Sequence, residues 1–151
     1  MKKLIIVRHG DCLNERLSDL GRRQITMLCG NLKAHVDGGS VAVFTSPAPR
    51  VLESAAMVAQ AFKTKLEEWP KLYSDEQAPA DLRWLMEMVR AKQDDVDVII
   101  LLTHFDYVGK FPGYFARETA GVEVHSWAVE KGGAWVIDCE KRLCIHVWAA
   151  N

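Results

Sequence analysis

The chain has 151 residues, 49% of them hydrophobic and 26% charged, a balance that excludes a largely disordered or fibrous chain and leaves material for one core. Its 19 basic and 20 acidic side chains give a net charge of -1, so no cationic excess is present to hold nucleic acid or an anionic membrane surface. No apolar run reaches the length of a membrane span, and the lysine-led N-terminus lacks the apolar stretch and cleavage site of a signal peptide.

Residues 2–7 read as a first strand that runs straight into Arg8, His9 and Gly10. A helix follows, with Ser18 as its N-cap and Leu17, Leu20, Ile25, Leu28 and Leu32 near one face. Gly38-Gly39 breaks it before a second strand, Val41 to Thr45. Ser46 then suits an N-cap and Pro47 a first helical position, with Pro49 also in the first turn and Val51, Ala55, Val58 and Phe62 forming the apolar stripe. A short strand is expected over Leu66 to Trp69. A polar loop follows, and Pro79 leads a helix that lines up Leu82, Leu85, Met86 and Val89.

Val96 to Thr103 is the longest apolar run, and its continuous hydrophobicity predicts a central strand covered on both faces. A helix begins after His104, with Pro112 and Gly113 expected to interrupt it. The remainder reads as strands at 124–130, 133–139 and 142–148, with turns at Lys131-Gly132 and Glu140-Lys141. Strands alternating with helices predict an α/β fold: a three-layer sandwich with a mostly parallel central sheet, helices on both faces and antiparallel strands at the C-terminal edge. The whole of 1–151 is expected to be a single domain.

Cys12, Cys29, Cys139 and Cys144 form no CxxC pair and read as free thiols of a cytoplasmic protein. Cys12 is either an inert small residue or a redox-sensitive thiol. Trp127, Trp135 and Trp148 are expected in core or sheet-face packing. His35, His125 and His146 read as surface or satisfied core residues, and no H-x-x-x-H or cysteine pair supports a metal site.

In open α/β sheets, ligands bind beyond the carboxyl ends of the strands. Arg8 and His9 follow the first strand, Ser46 and Arg50 the second, and His104 the longest one. Two guanidinium groups match phosphate oxygens in pairs. A neutral imidazole can attack phosphorus, and a second can donate to the phosphoryl group. Gly10 would let the backbone approach a ligand closely.

Four pieces, "RHG" at 8–10, "LSDLGRRQ" at 17–24, "TSPAPRVLESA" at 45–55 and "LLTHFDYV" at 101–108, resemble in order the motifs of the histidine phosphatase superfamily, also called the phosphoglycerate mutase-like family. The resemblance covers nearly the whole chain. It implies a metal-independent and cofactor-free phosphatase in which His9 attacks the phosphoryl group, a phosphohistidine forms, and water hydrolyses it. Arg8 and Arg50 would clamp phosphate oxygens and His104 would complete the pocket, with Gly10 beside it. Asn14 stands one position short of the asparagine of the mutase branch, and Phe105 follows the second histidine where that branch has glycine. The small chain and "THFDYV" are more similar to the compact phosphohistidine phosphatases of the SixA type.

Many members of the family carry a carboxylic acid in the loop before the third helix. Here Glu76 is the candidate, with Asp75 as the alternative, and either also reads as a solvated loop carboxylate; Asp11, which adjoins RHG, is a third option. The expected substrate is a phosphorylated protein or a small phosphorylated metabolite. A small-molecule phosphomonoesterase and a catalytically silent phosphate-binding module are the competing readings. The oligomeric state is left open by the sequence.

Overall fold

The computed structural model describes residues 1–149; Ala150 and Asn151, the last positions of the expected domain, lie outside the described residues. In chain order the elements are β1 (Lys3–Arg8), β2 (Cys12–Leu13), β3 (Arg16–Leu17), α1 (Asp19–Val36), β4 (Val41–Thr45), α2 (Pro49–Ala61), β5 (Leu66–Glu68), α3 (Leu82–Lys92), β6 (Val98–Thr103), α4 (Phe105–Ala120), β7 (Ala134–Asp138) and β8 (Leu143–Val147). A six-stranded sheet runs β5-β4-β6-β1-β7-β8. β5, β4, β6 and β1 pair in parallel, whereas β7 is antiparallel to both β1 and β8. The expected three-layer α/β sandwich with an antiparallel edge is therefore the architecture of the chain.

Alternation along the strands divides the core. Ile5, Val7, Val43, Ile100 and Leu102 face α1 and α2, whereas Leu4, Ile6, Phe44, Ile99 and Leu101 face α3 and α4. All six residues of β6 are buried, which accounts for its unbroken apolar sequence. Phe111 of α4 is fully buried in the second layer. Phe111→Ala is expected to destabilise the fold by about 3–5 kcal/mol, read as a shift of the urea midpoint with an unchanged slope.

Several local expectations are corrected. Residues 121–130 form no strand. Both edges of β7 are already taken by β1 and β8, so the segment has no place beside the strand that follows it. It lies instead along α4, where a Cβ at Gly109 would come within 3.0 Å of Ala128 N and one at Gly113 within 3.0 Å of Val124 O. Pro112 does not interrupt α4. The ring removes one helical hydrogen bond, a loss of about 3 kcal/mol, but burial of Tyr107, Val108, Phe111 and Phe115 on the flanking turns holds the helix together.

The second helix starts later than expected, with Ala48 at the N-cap and Pro49 inside the first turn; Ser46 Oγ precedes it, accepting from Ala48 N at 3.3 Å and bonding to His104. Pro79 lies ahead of α3, whose N-cap is Asp81, accepting from Trp84 N. A two-residue turn at Asn14 and Glu15, both with positive φ (51° and 65°), closes the unexpected β2–β3 hairpin. Asn14 therefore has a local conformational role. Leu20 is 47% exposed, and Trp127 and Trp148 are exposed while Trp135 is buried. All four cysteines are free thiols.

Candidate active site

Parallel pairing puts three strand ends side by side. Arg8 is opposite Thr103, the last residue of β6, and Thr45 at the end of β4 is opposite Leu102. The residues just beyond, His9, Ser46 and His104, are thereby brought to one edge of the sheet, and all three are buried. Arg50, on the first turn of α2, reaches the same place. The two imidazole centroids are 5.8 Å apart, nearly edge to face.

Each imidazole has an assigned tautomer. His9 Nδ1 lies 2.8 Å from the Gly10 carbonyl, which can only accept, so Nδ1 carries the proton and Nε2 keeps a free lone pair. His104 Nδ1 accepts from Arg50 Nη2 at 3.4 Å, and Nε2 donates to Ser46 Oγ at 2.8 Å. Burial, followed by Arg50, Arg8 and Lys131 among the charges, pushes the His9 pKa down to about 4. Burial, then Arg50 and His9, pushes His104 down to about 3. Both rings are neutral at physiological pH, the state in which an imidazole is a nucleophile.

These depressed values make a stability prediction. The unfolded chain protonates its histidines near 6.5, so acid favours unfolding. The loss begins below about 6.5 and is complete for His104 below about 3. Between pH 7 and 4, wild type is expected to lose on the order of 3 kcal/mol more stability than His104→Asn. Parallel pH dependences in urea titrations would contradict the buried neutral state.

Arg8 donates from Nη1 to the Val129 carbonyl at 2.9 Å, and its guanidinium carbon is 5.2 Å from the centre of the Phe105 ring. Burial lowers its pKa, and the nearby Glu130 charge opposes that; arginine remains charged throughout. Gly10 N donates to Ser54 Oγ at 3.1 Å, and Ser54 Oγ donates to the Arg50 carbonyl at 2.8 Å, so one hydroxyl ties the loop after β1 to α2. The space at Gly10 is taken by the start of α1: a Cβ there would meet Gly21 O at 2.8 Å and Leu17 Cδ1 at 2.9 Å. Packing of the chain on itself is thus enough to require glycine here.

The three carboxylate candidates differ in placement. Asp11 accepts from Ser18 Oγ at 2.8 Å and pairs with Lys131 at 3.6 Å, which ties it to the α1 N-terminus. Asp75 accepts from Tyr73 Oη at 2.8 Å and from the backbone N–H groups of Gln77 and Ala78. Those bonds, Tyr73 first, hold its carboxyl below the usual range. Its charge also acts on His104. Glu76 is exposed and makes no side-chain hydrogen bond or ion pair among the described residues.

Tyr73 was not anticipated from the sequence. Its ring lies 4.9 Å from that of His104, edge to face, and its hydroxyl orients Asp75. Nothing in "LYSDEQAP" distinguishes it from any loop tyrosine. The Val129 carbonyl was also missed, because it meets Arg8 across 121 positions of sequence. Among the described residues, no three His, Cys, Asp or Glu side chains gather in a form that could hold a metal ion, and no helix is long and apolar enough to cross a membrane.

No protein-family model matches the sequence, and no curated protein matches it. Solved structures do match. The protein histidine phosphatase SixA complexed with tungstate superposes with a TM-score of 0.67 at 18% identity, covering 97% of this chain and 94% of that one. A mycobacterial glucosyl-3-phosphoglycerate phosphatase gives 0.65 at 13% identity with 100% of both chains covered. Phosphoglycerate mutase from Plasmodium falciparum gives 0.61 at 20% identity, covering 95% of this chain and 87% of that one. The chain has the fold shared by SixA and the phosphoglycerate mutase-like histidine phosphatases.

Proposed function

We propose that the chain acts as one histidine phosphatase domain over 1–151, a metal-independent and cytoplasmic enzyme that removes phosphate from a phosphorylated protein through a covalent intermediate on His9. The observation that carries this reading is the His9 tautomer. With Nδ1 committed to the Gly10 carbonyl, the free lone pair is on Nε2, and the buried ring is unprotonated at neutral pH. Nε2 attacks phosphorus, the bond from phosphorus to the leaving group breaks, and the electron pair departs with that group. Arg8, Arg50 and His104 hold the phosphoryl oxygens as charge shifts among them. Water then attacks phosphorus, the P–Nε2 bond breaks, and phosphate is released.

The leaving group decides between substrate classes. An alkoxide needs a positioned acid, whereas the imidazole of a phosphohistidine leaves with less help. Asp75 is held in its ionised form by Tyr73 and two backbone N–H groups, which makes it a poor acid. Phosphohistidine in a protein is therefore the favoured substrate, and Glu76 is the remaining candidate acid should the substrate be an ester. The four free thiols fit a reducing compartment.

The test is phosphate release from a phosphohistidine peptide and a phosphoserine peptide in excess EDTA. Release of at least tenfold more phosphate from phosphohistidine is the expected result. A preference for phosphoserine would support the esterase reading, and tight peptide binding without release would support a silent phosphate-binding module.

A further inference from the structure

The turn that follows the 121–130 segment is built onto the backbone of Arg8 and His9. Gly132 N donates to the carbonyls of Arg8 (3.1 Å) and His9 (2.9 Å), and Arg8 N donates to Gly133 O at 3.0 Å. Val129, in the residues leading into this turn, accepts from Arg8 Nη1. The next side chain is Glu130. His146 Nε2 on β8 donates to Glu130 Oε2 at 3.0 Å, and His146 is itself packed among Trp127, Trp135 and Trp148. The other carboxylate oxygen, Oε1, is buried without a partner, and so is Arg8 Nε. A Cβ at Gly133 would come within 2.5 Å of Glu130 Oε1, so glycine is what leaves room for the carboxylate.

A buried donor without an acceptor and a buried acceptor without a donor are each expensive. Here they belong to opposite charges that the turn brings close, and among the described residues no direct hydrogen bond or ion pair joins the two. An arginine head held by one hydrogen bond at Nη1 can swivel about it; a fixed negative charge nearby favours one orientation and leaves the Nη2 edge for phosphate oxygens.

We propose that Glu130 is a positioning residue for Arg8, its carboxylate orienting the guanidinium from behind while His146 holds the carboxylate in place. The inference rests on the phosphatase reading, in which Arg8 binds the phosphoryl group. It adds a residue that no motif marks: Glu130 touches neither substrate nor nucleophile and acts through Arg8.

The competing account is that Glu130 merely pins the turn to β8. Kinetics separate the two. Glu130→Ala is expected to raise KM for the phosphopeptide about tenfold with kcat within about threefold, and to weaken orthophosphate binding, measured by calorimetry, about tenfold as well. Glu130→Gln, which keeps an acceptor for His146 but removes the charge, is expected to fold like wild type and to follow Glu130→Ala on both readouts. His146→Ala should move both in the direction of Glu130→Ala by about threefold. A purely structural role would lower the melting temperature and leave KM and orthophosphate affinity at wild-type values. That result, or a Gln variant at wild-type values, would overturn the inference while leaving the phosphatase reading intact. Wild type that neither binds orthophosphate nor releases it from any phosphopeptide would overturn both.

Discussion

His9→Ala is expected to lose phosphate release by roughly 10⁴-fold or more, the scale seen when a covalent nucleophile is removed. The variant should remain folded. His9 lies outside β1, and its ring makes one hydrogen bond, to the adjacent Gly10 carbonyl. Substrate should still bind, because Arg8, Arg50 and His104 remain. Phosphopeptide affinity within about threefold of wild type with turnover lost is therefore the expected signature. Loss of binding and turnover together, with a lower melting temperature, would place His9 in the scaffold instead. Residual release within tenfold of wild type would remove it from the mechanism.

The second large effect concerns stability. A Cβ on Gly21 would run into the Asp11 carbonyl oxygen and come within 2.7 Å of Leu17 Cδ1. Neither neighbour has room to retreat. The Asp11 carbonyl already accepts from Ser18 N at 2.9 Å, and Leu17 is buried. Gly21→Ala is expected to destabilise the fold by about 3 kcal/mol through overpacking. It should also lower activity, because the displaced loop carries His9. Gly30 is the internal control. It is in the same helix, exposed, and a Cβ there meets nothing within 4 Å. Gly30→Ala should stabilise by about 0.5–1 kcal/mol. Urea midpoints moving in the same direction for both variants would contradict the packing account.

The sequence and the structure agree where the signal is local and long. β6 announced itself by an unbroken apolar run because both its faces are covered, and Arg8, His9 and His104 were placed by the rule that ligands meet the carboxyl ends of parallel strands. Disagreement arises where neighbours distant in sequence decide. Residues 124–130 look like a strand, but β1 and β8 occupy both edges of β7. Pro112 looks like a break, but the buried aromatic residues around it outweigh the lost bond. Ser46 reads as a helix cap, yet its hydroxyl sits ahead of the helix and is shared between Ala48 N and His104. Glu130 carries no motif, since its meaning comes from Arg8 at the other end of the chain and from His146 on the edge strand.

The central claim is that His9 Nε2 takes the phosphoryl group. The most direct test is to mix enzyme with phosphopeptide, quench within milliseconds in alkali, where phosphohistidine survives, and locate the phosphoryl group by phosphorus NMR and mass spectrometry. The account predicts one phosphoryl group on His9, bonded to Nε2, because Nδ1 is engaged by the Gly10 carbonyl. Phosphate on another side chain, or on Nδ1 of His9, would contradict it.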